Sequence, residues 1–375
     1  MTIKTISSMI EKGFYQTVLQ KKLDLDLDEI IEMIKEFVPH SCGPYLEKES
    51  FRLIENWRSV SIPLKNDFYL TLKGTEIEVS DIFFIYKKLM EKYFEMGQGS
   101  NSDHFYFKEG KLPMMMTNCE AAKEFRTSQM MARDFVTKFK KIPALPLPIA
   151  TFTYVGATLP KGYKDLAAHL KSLYSLDFKK IQLGGIAYIY KGHPSRIKHW
   201  KQYCENPKKN MKTWIKGQET YFDSTKAYAQ YVRLFAELTA LGWILTPVGQ
   251  EHLGYAVKSQ NMTLVGGFVD VGNAYRPKGK LNRRDVISFL KSIEVLSESI
   301  KEISYPKNRI SNSLASILFS NQLIQDIRIE LKKIKVRSSL CEVFEQFYCN
   351  DFEGISNGLI KLISDDLDED FQVII

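Results

Sequence analysis

The sequence predicts an α+β fold, on two observations. Amphipathic helical segments occur along the chain, and short β-type runs bounded by turn residues lie among them. The clearest such runs are Tyr255–Val257 and Thr263–Val265, which fit a hairpin whose turn contains Ser259, Gln260 and Asn261. With 375 residues, 44% of them hydrophobic, the chain can bury the core of one large domain or of two ordinary ones.

The first ninety or so residues predict a helical layer with a small hairpin. Aspartates precede the apolar run Glu29–Val38, where they suit the first turn of a helix, and Pro39 ends that helix. Asp67–Val79 is rich in β-forming residues, with Lys73-Gly74 as its turn. A second apolar helix is predicted to follow this hairpin.

A glycine-rich loop is predicted next. Gly97, Gly99 and Ser100 separate two β-type runs. Glycines and a serine allow backbone N–H groups to surround a phosphate, so the loop is a candidate phosphate cradle. An ordinary hairpin turn explains the same residues and stays open as the alternative.

A helix and two strands follow the loop. Thr117 to Glu120 form a capping box, and Glu124 lies one turn into the helix that this box begins. Prolines before residue 149 fix an extended path into a strand at Ala150–Val155. Ile181–Tyr190 predicts a further strand with a glycine pair.

The stretch Lys191–Gly217 is strongly basic, with Trp200, Tyr203 and Trp214 interleaved among its lysines. This pattern suits a surface that follows phosphates and stacks on bases, so nucleic acid is a candidate partner. A solvated helix–loop–helix with its tryptophans in the core is the other interpretation. A second basic cluster contains Lys278, Lys280, Arg283 and Arg284.

The predicted hairpin carries the main polar cluster of the sequence. Gln250, Glu251 and His252 precede its first strand, and Asp270 follows its second strand. An aspartate between an apolar strand and Gly272 is costly to bury unless it is paired or binds a cation. Asp270 is therefore a candidate metal ligand.

Helices are predicted before and after the hairpin. One begins at Asp223 or Ser224 and ends at Gly242, and another begins at Asp285. Three more are predicted at Asn312–Ile334, Leu340–Tyr348 and Gly354–Ile363, followed by an acidic tail at 365–370.

Composition narrows the class of protein. The sequence contains no apolar run of eighteen residues, so no membrane span is predicted. Met1–Lys12 lacks the pattern of a secretory signal. The five cysteines are odd in number and widely spaced, which favours reduced thiols and argues against a structural zinc site. We therefore expect a cytoplasmic protein. The net charge of +8 is mild for this length.

The order of these parts resembles the protein-kinase-like superfamily, over about residues 93–303. Its best match is Gln250–Tyr255 followed by Phe268–Gly272. The loop of the small-molecule kinases in that superfamily reads Asp-x-His-x-x-Asn, and a later aspartate holds the metal that bridges ATP phosphates. His252 matches the histidine, and Asp270 stands at a suitable distance.

The resemblance implies ATP and Mg²⁺ as cofactors and a two-lobed core with helical extensions at both ends. The implied parts are an N-terminal extension (1–92), a small β-rich lobe (93–157), a larger, mostly helical lobe (158–310) and C-terminal helices with the acidic tail (311–375). It implies cofactor contacts at Gly97, Gly99, Ser100, Lys111 and Glu124, and catalytic roles for Glu251, His252 and Asp270.

Three positions depart from the superfamily pattern. Gln250 replaces the catalytic aspartate, and Tyr255 replaces the metal-binding asparagine. The strand lysine is also missing from its expected place, which leaves Lys108 or Lys111 as partners for Glu124.

The predicted function is a divergent kinase-like nucleotide-binding protein, a phosphoryl or nucleotidyl transferase. Two alternatives stay open: a nucleic-acid-associated protein that uses the basic stretch, and an enzyme or interaction protein of another fold with a polar site at Gln250, Glu251, His252 and Asp270. The sequence does not indicate an oligomeric state.

Overall fold

The computed structural model is a mixture of helices and short antiparallel sheets, which confirms the predicted α+β class. The structure describes residues 27–37, 59–65, 68–74, 116, 118–153, 184–191, 193–196, 224–245, 253–258, 263–268, 271–304 and 313–348. The chain divides into two compact units: residues 1–126 with 147–189, and residues 127–146 with 190–375.

The first unit is built on a four-stranded sheet. Its strands are β1 (Ser59–Pro63), β2 (Phe68–Lys73), β3 (Leu147–Thr153) and β4 (Gly184–Lys191), in the order β1-β2-β4-β3. All seven residues of β3 are buried, as are seven of the eight in β4. Strands whose side chains are buried on both faces form the interior of their unit, and this sheet does so here.

Two of the helices that the structure describes begin in this unit. Helix α1 (Leu27–Phe37) confirms the helix predicted after the aspartate run, with Asp28 and Glu29 in its first turn. Helix α2 (Asn118–Phe139) begins where the capping box was predicted. Ala121 and Phe125 are fully buried on one of its faces, at the four-residue spacing that makes a helical stripe.

The second unit contains a three-stranded sheet in the order β5-β6-β7, made of β5 (His193–Arg196), β6 (Leu253–Lys258) and β7 (Thr263–Phe268). Strands β6 and β7 are the predicted hairpin. Strand β5 lies inside the basic stretch, where the two interpretations offered were a nucleic-acid surface and a helix–loop–helix. Residues 193–196 form a strand that pairs antiparallel with β6, and Pro194 is tolerated because β5 is an edge strand.

Of the described helices, four contribute to the apolar core of the second unit along with the later part of α2: α3 (Ser224–Ala240), α4 (Arg283–Ser304), α5 (Ser313–Lys333) and α6 (Ser339–Tyr348). The predicted helices in these regions are thus confirmed. Among the helices of the described ranges, none is long and apolar enough to cross a membrane.

Local signals fix the ends of two of these helices. Helix α3 ends at Ala240, and the φ of 82° at Gly242, two residues later, permits Trp243 N–H to donate to Leu238 O at 2.9 Å. Before α4, the N–H of Asn282 and the N–H of Asp285 each donate to the other residue's side chain, at 3.1 and 3.0 Å. This reciprocal box begins at Asn282, three residues before the predicted cap at Asp285.

Candidate active site

The most unusual polar contact of the first unit is a buried ion pair between a strand and a helix. Lys73 ends β2, and its Nζ lies 2.7 Å from Oε1 and 2.9 Å from Oε2 of Glu124 on α2. Only 9% of the lysine side chain and 7% of the glutamate side chain are exposed. Buried charges of this kind require a partner, because an isolated one would cost several kcal/mol of solvation.

A third polar group completes the contact. The hydroxyl of Tyr188, on β4, donates to Glu124 Oε1 at 2.6 Å. Tyr188 is almost fully buried. The carboxylate therefore accepts hydrogen bonds from an ammonium and a phenol, both charge-assisted because the acceptor is ionised. We call these residues, Lys73, Glu124 and Tyr188, the buried triad.

Close approach of two strand backbones sets the position of Lys73. A Cβ added to Gly185 would lie 2.4 Å from the carbonyl oxygen of Lys73 and 2.2 Å from the ring of Phe152. Real Cβ atoms do not come so close, so β4 needs a glycine where it passes Lys73. Gly185 thus lets β2 end where its lysine reaches Glu124.

Two further hydrogen bonds hold the start of α2 against the sheet. Thr153, the last residue of β3, donates from its hydroxyl to Asn118 Oδ1 at 3.1 Å. Gly184 N–H donates to the carbonyl of Met116 at 2.9 Å. Glu124 lies six residues beyond Asn118, about 9 Å along the helix axis, so these bonds fix the place from which its carboxylate reaches Lys73.

The triad is chemically suited to binding an anion through Lys73. An ammonium has three N–H donors, so it can bond a carboxylate and a phosphate oxygen at the same time. Within the described ranges, no group of three or more His, Cys, Asp or Glu side chains could hold a metal ion.

Of the residues predicted to form the site, the structure describes only Glu124, and it places this residue in the triad. Lys108, Lys111, Gln250, Glu251, His252 and Asp270 lie outside the described residues, as do Gly97, Gly99 and Ser100. Most of the basic stretch, from residue 197 onward, also lies outside them.

Sequence analysis missed Lys73, because it assigned Lys73-Gly74 to a turn. The structure makes Lys73 the last residue of β2 and pairs it with Glu124, a role for which only Lys108 and Lys111 were considered. The available signal was a lysine that ends a β-type run, Phe68–Leu72, of mostly apolar residues.

Comparison with known proteins gives structural neighbours only. No family model matches the sequence, and no curated protein matches it. One similar structure is WaaP in complex with acyl carrier protein, at 9% identity and a TM-score of 0.27, covering 76% of this chain and 88% of that one.

A second similar structure is the Rio2 kinase–ADP/Mg²⁺–phosphoaspartate complex from Chaetomium thermophilum, at 10% identity and a TM-score of 0.31. The match covers 82% of this chain and 68% of that one. Rio2 is named a kinase, the class of protein that the sequence resembles. At these identities neither neighbour carries its activity over to this chain, so the contacts of the chain itself must support any function.

Proposed function

We propose that this protein is a divergent kinase-like protein that binds a nucleoside triphosphate, with Lys73 contacting the phosphates and Glu124 holding Lys73 in place. One observation carries the proposal: a lysine at a strand end and a glutamate on the following described helix form a buried, two-oxygen ion pair. Protein kinases use a strand lysine and a helix glutamate in this way to position ATP phosphates.

The energetics of the pair favour a functional role. Replacing a buried ion pair with apolar residues of similar volume is often neutral or stabilising, so stability alone gives little reason to keep one. Lys73 and Glu124 belong to elements that also carry fully buried apolar residues, such as Leu70 on β2 and Phe125 on α2. A ligand that needs the ammonium explains why the charges are present.

The proposal revises the predicted lobes. Strands β1 and β2 share a sheet with β3 and β4, so we assign residues 59–73 to the proposed small lobe, together with β3 of the predicted range 93–157. We keep the larger lobe at 158–310 apart from β4, which joins the small-lobe sheet. We also keep the cytoplasmic location predicted from the cysteines.

The remaining site residues stay predictions within this proposal. Gly97, Gly99 and Ser100 would surround the phosphates, with Lys111 as a further cofactor contact. Asp270 would hold Mg²⁺, which would neutralise charge on the phosphates when bound. Glu251 and His252 would supply the polar groups of the transfer step, since Gln250 cannot accept a proton as an aspartate does.

A thermal-shift series on the full chain tests the proposal. ATP with Mg²⁺ should raise the melting temperature in proportion to the logarithm of its concentration over Kd, and adenosine should raise it much less. The test variant combines Lys73→Met with Glu124→Leu, which removes both charges and leaves neither charge unpaired. The double variant should melt cooperatively and lose the ATP-specific shift. An unchanged ATP shift in that variant, or no shift in the parent, would contradict the proposal.

A further inference from the structure

Tyr188 is the member of the buried triad that a lysine–glutamate pair alone would not require. Its hydroxyl lies 2.6 Å from Glu124 Oε1, the same oxygen that accepts from Lys73 at 2.7 Å. The ring is carried on β4, where Tyr188 is paired with Pro148 of β3. Because both strands are buried along their length, the hydroxyl is held by the sheet and not by a flexible loop.

Lys73 and Tyr188 both donate to Oε1 of Glu124, and together they restrict rotation of the carboxylate about its terminal torsion. The terminal torsion of a glutamate is broad, so its carboxylate plane is only weakly fixed by rotamer preference. Lys73 contacts both oxygens and permits some rotation about the ammonium. A phenol fixed on β4 selects one plane, because a hydrogen bond to a carboxylate weakens away from its lone-pair direction.

We infer that Tyr188 is a positioning residue: its hydroxyl fixes the Glu124 carboxylate, which in turn fixes the Lys73 ammonium for a triphosphate ligand. The inference rests on the proposed function and adds the group that orients the ion pair. It assigns Tyr188 no contact with the ligand. The hydrogen bond from Thr153 to Asn118 holds α2 against the same sheet, so the sheet carries Tyr188 and also positions the helix of Glu124.

A purely structural role would produce a different result. Buried phenols generally find an acceptor, and Glu124 could serve simply as that acceptor. In that case, removing the hydroxyl would lower stability and leave ligand affinity unchanged. If Tyr188 positions Lys73, its removal must weaken phosphate binding and spare the part of the ligand that Lys73 does not touch.

The test compares Tyr188→Phe with Tyr228→Phe in the full chain. Tyr228 is a matched control, because its hydroxyl also donates to a carboxylate at 2.6 Å, in this case Asp326 in the second unit. Isothermal titration calorimetry would measure the affinities of ATP and adenosine, each with Mg²⁺. We expect Tyr188→Phe to bind ATP roughly tenfold more weakly than the parent, with adenosine unchanged, and Tyr228→Phe to bind both ligands as the parent does.

Other outcomes separate the inference from the proposed function. If the parent binds ATP no better than adenosine, the proposed function fails and the inference fails with it. If the parent prefers ATP and Tyr188→Phe keeps that preference in full, only the inference is overturned. Equal loss of ATP and adenosine would also overturn it, since that result indicates a distorted fold.

A second variant protects the test against misfolding of the first. Introducing 4-aminophenylalanine at position 188 keeps the ring and a hydrogen-bond donor, although an aromatic amine donates less strongly than a phenol. Its ATP affinity should fall below that of the parent and above that of Tyr188→Phe, with unchanged adenosine affinity. ATP affinity equal to that of the parent would show that donor strength at this position is irrelevant, and would overturn the inference even if the phenylalanine variant does not fold.

Discussion

Two buried glutamates, one in each unit of the chain, are held in opposite ways. Glu124 in the first unit contacts Lys73 and Tyr188, and both partners are almost fully buried. Glu237 in the second unit contacts Lys141 and Arg233, whose side chains are 33% and 62% exposed. The two carboxylates are themselves equally buried, at 7% and 5% side-chain exposure.

The exposure of the partner side chains indicates which of the two glutamates is the better candidate for a functional site. The partners of Glu237 keep contact with water, so solvent screens their charge and either one can take over if the other is lost. The Lys73 side chain has little contact with water, so both its charge and that of Glu124 are desolvated. A charge kept at such cost is a stronger sign of function than one at the surface.

The largest loss of stability should come from removing only the lysine of the buried Lys73–Glu124 pair. Lys73→Met should destabilise the protein by about 3–5 kcal/mol, because it leaves the Glu124 carboxylate without its cation. Urea denaturation followed by circular dichroism would measure the loss. Adding Glu124→Leu should restore most of it, and a double variant as unstable as Lys73→Met would refute the desolvation account.

Gly185→Ala should have the next largest effect. The new methyl group would overlap the Lys73 carbonyl and the Phe152 ring, so β2 and β4 must separate, at a cost of about 1–3 kcal/mol or more. Gly279→Ala is the control: its methyl group meets nothing within 4 Å, and only the φ of 87° opposes it, at about 1 kcal/mol. Equal melting temperatures for the two variants would mean that the strands are not in close contact.

Alkaline pH should act on the second unit through its buried tyrosines. Burial raises the pKa of Tyr231 and Tyr348, with the charge of Glu294 a further cause for Tyr348, and burial followed by the hydrogen bond to Asp285 raises the pKa of Tyr275. A raised native pKa means that the unfolded chain loses these protons first. Their contribution is therefore complete below about pH 10 and declines as pH rises from there toward the native pKa values.

Urea titrations between pH 9 and 11 would measure this decline. The limiting slope is about 1.4 kcal/mol per pH unit for each tyrosine that keeps its proton only in the native state. Tyr348→Phe should make the decline shallower. A slope unaffected by this change would show that Tyr348 titrates alike in both states.

The smallest loss of stability should come from changing Lys141, a partly exposed partner of Glu237. Lys141→Met should cost less than about 1 kcal/mol, because Arg233 Nε stays 3.1 Å from Glu237 and solvent screens what is lost. The same urea experiment, run beside Lys73→Met, gives the contrast directly. Equal losses in the two methionine variants would remove the distinction between the glutamates.

Much of the fold could be predicted from local signals, and most of the site could not. Helix α3 follows from its apolar face and its terminal glycine, and the β6–β7 hairpin follows from its turn residues, since both signals lie within a few neighbouring residues. Lys73 and Glu124 are 51 residues apart in sequence. Their contact depends on the register of a sheet that joins β2 to β4, and no short stretch of sequence encodes that register.

The β5 strand shows the same limit from another side. The sequence analysis assigned its four residues, His193–Arg196, to a charged stretch, because they have little β-type pattern of their own. Pairing with β6 supplies the missing hydrogen bonds, so tertiary context overrides the local preference.

Chemical labelling would show whether the Lys73 amine lies against the phosphates of a bound nucleotide. An acyl phosphate of ATP transfers its acyl group to a lysine amine that lies against the bound phosphates, and peptide mass spectrometry then locates the modified residue. The account predicts acylation of Lys73 that excess ATP suppresses and excess adenosine suppresses far less. Labelling spread over exposed lysines such as Lys278 and Lys280, with Lys73 unmodified or unprotected by ATP, would contradict it.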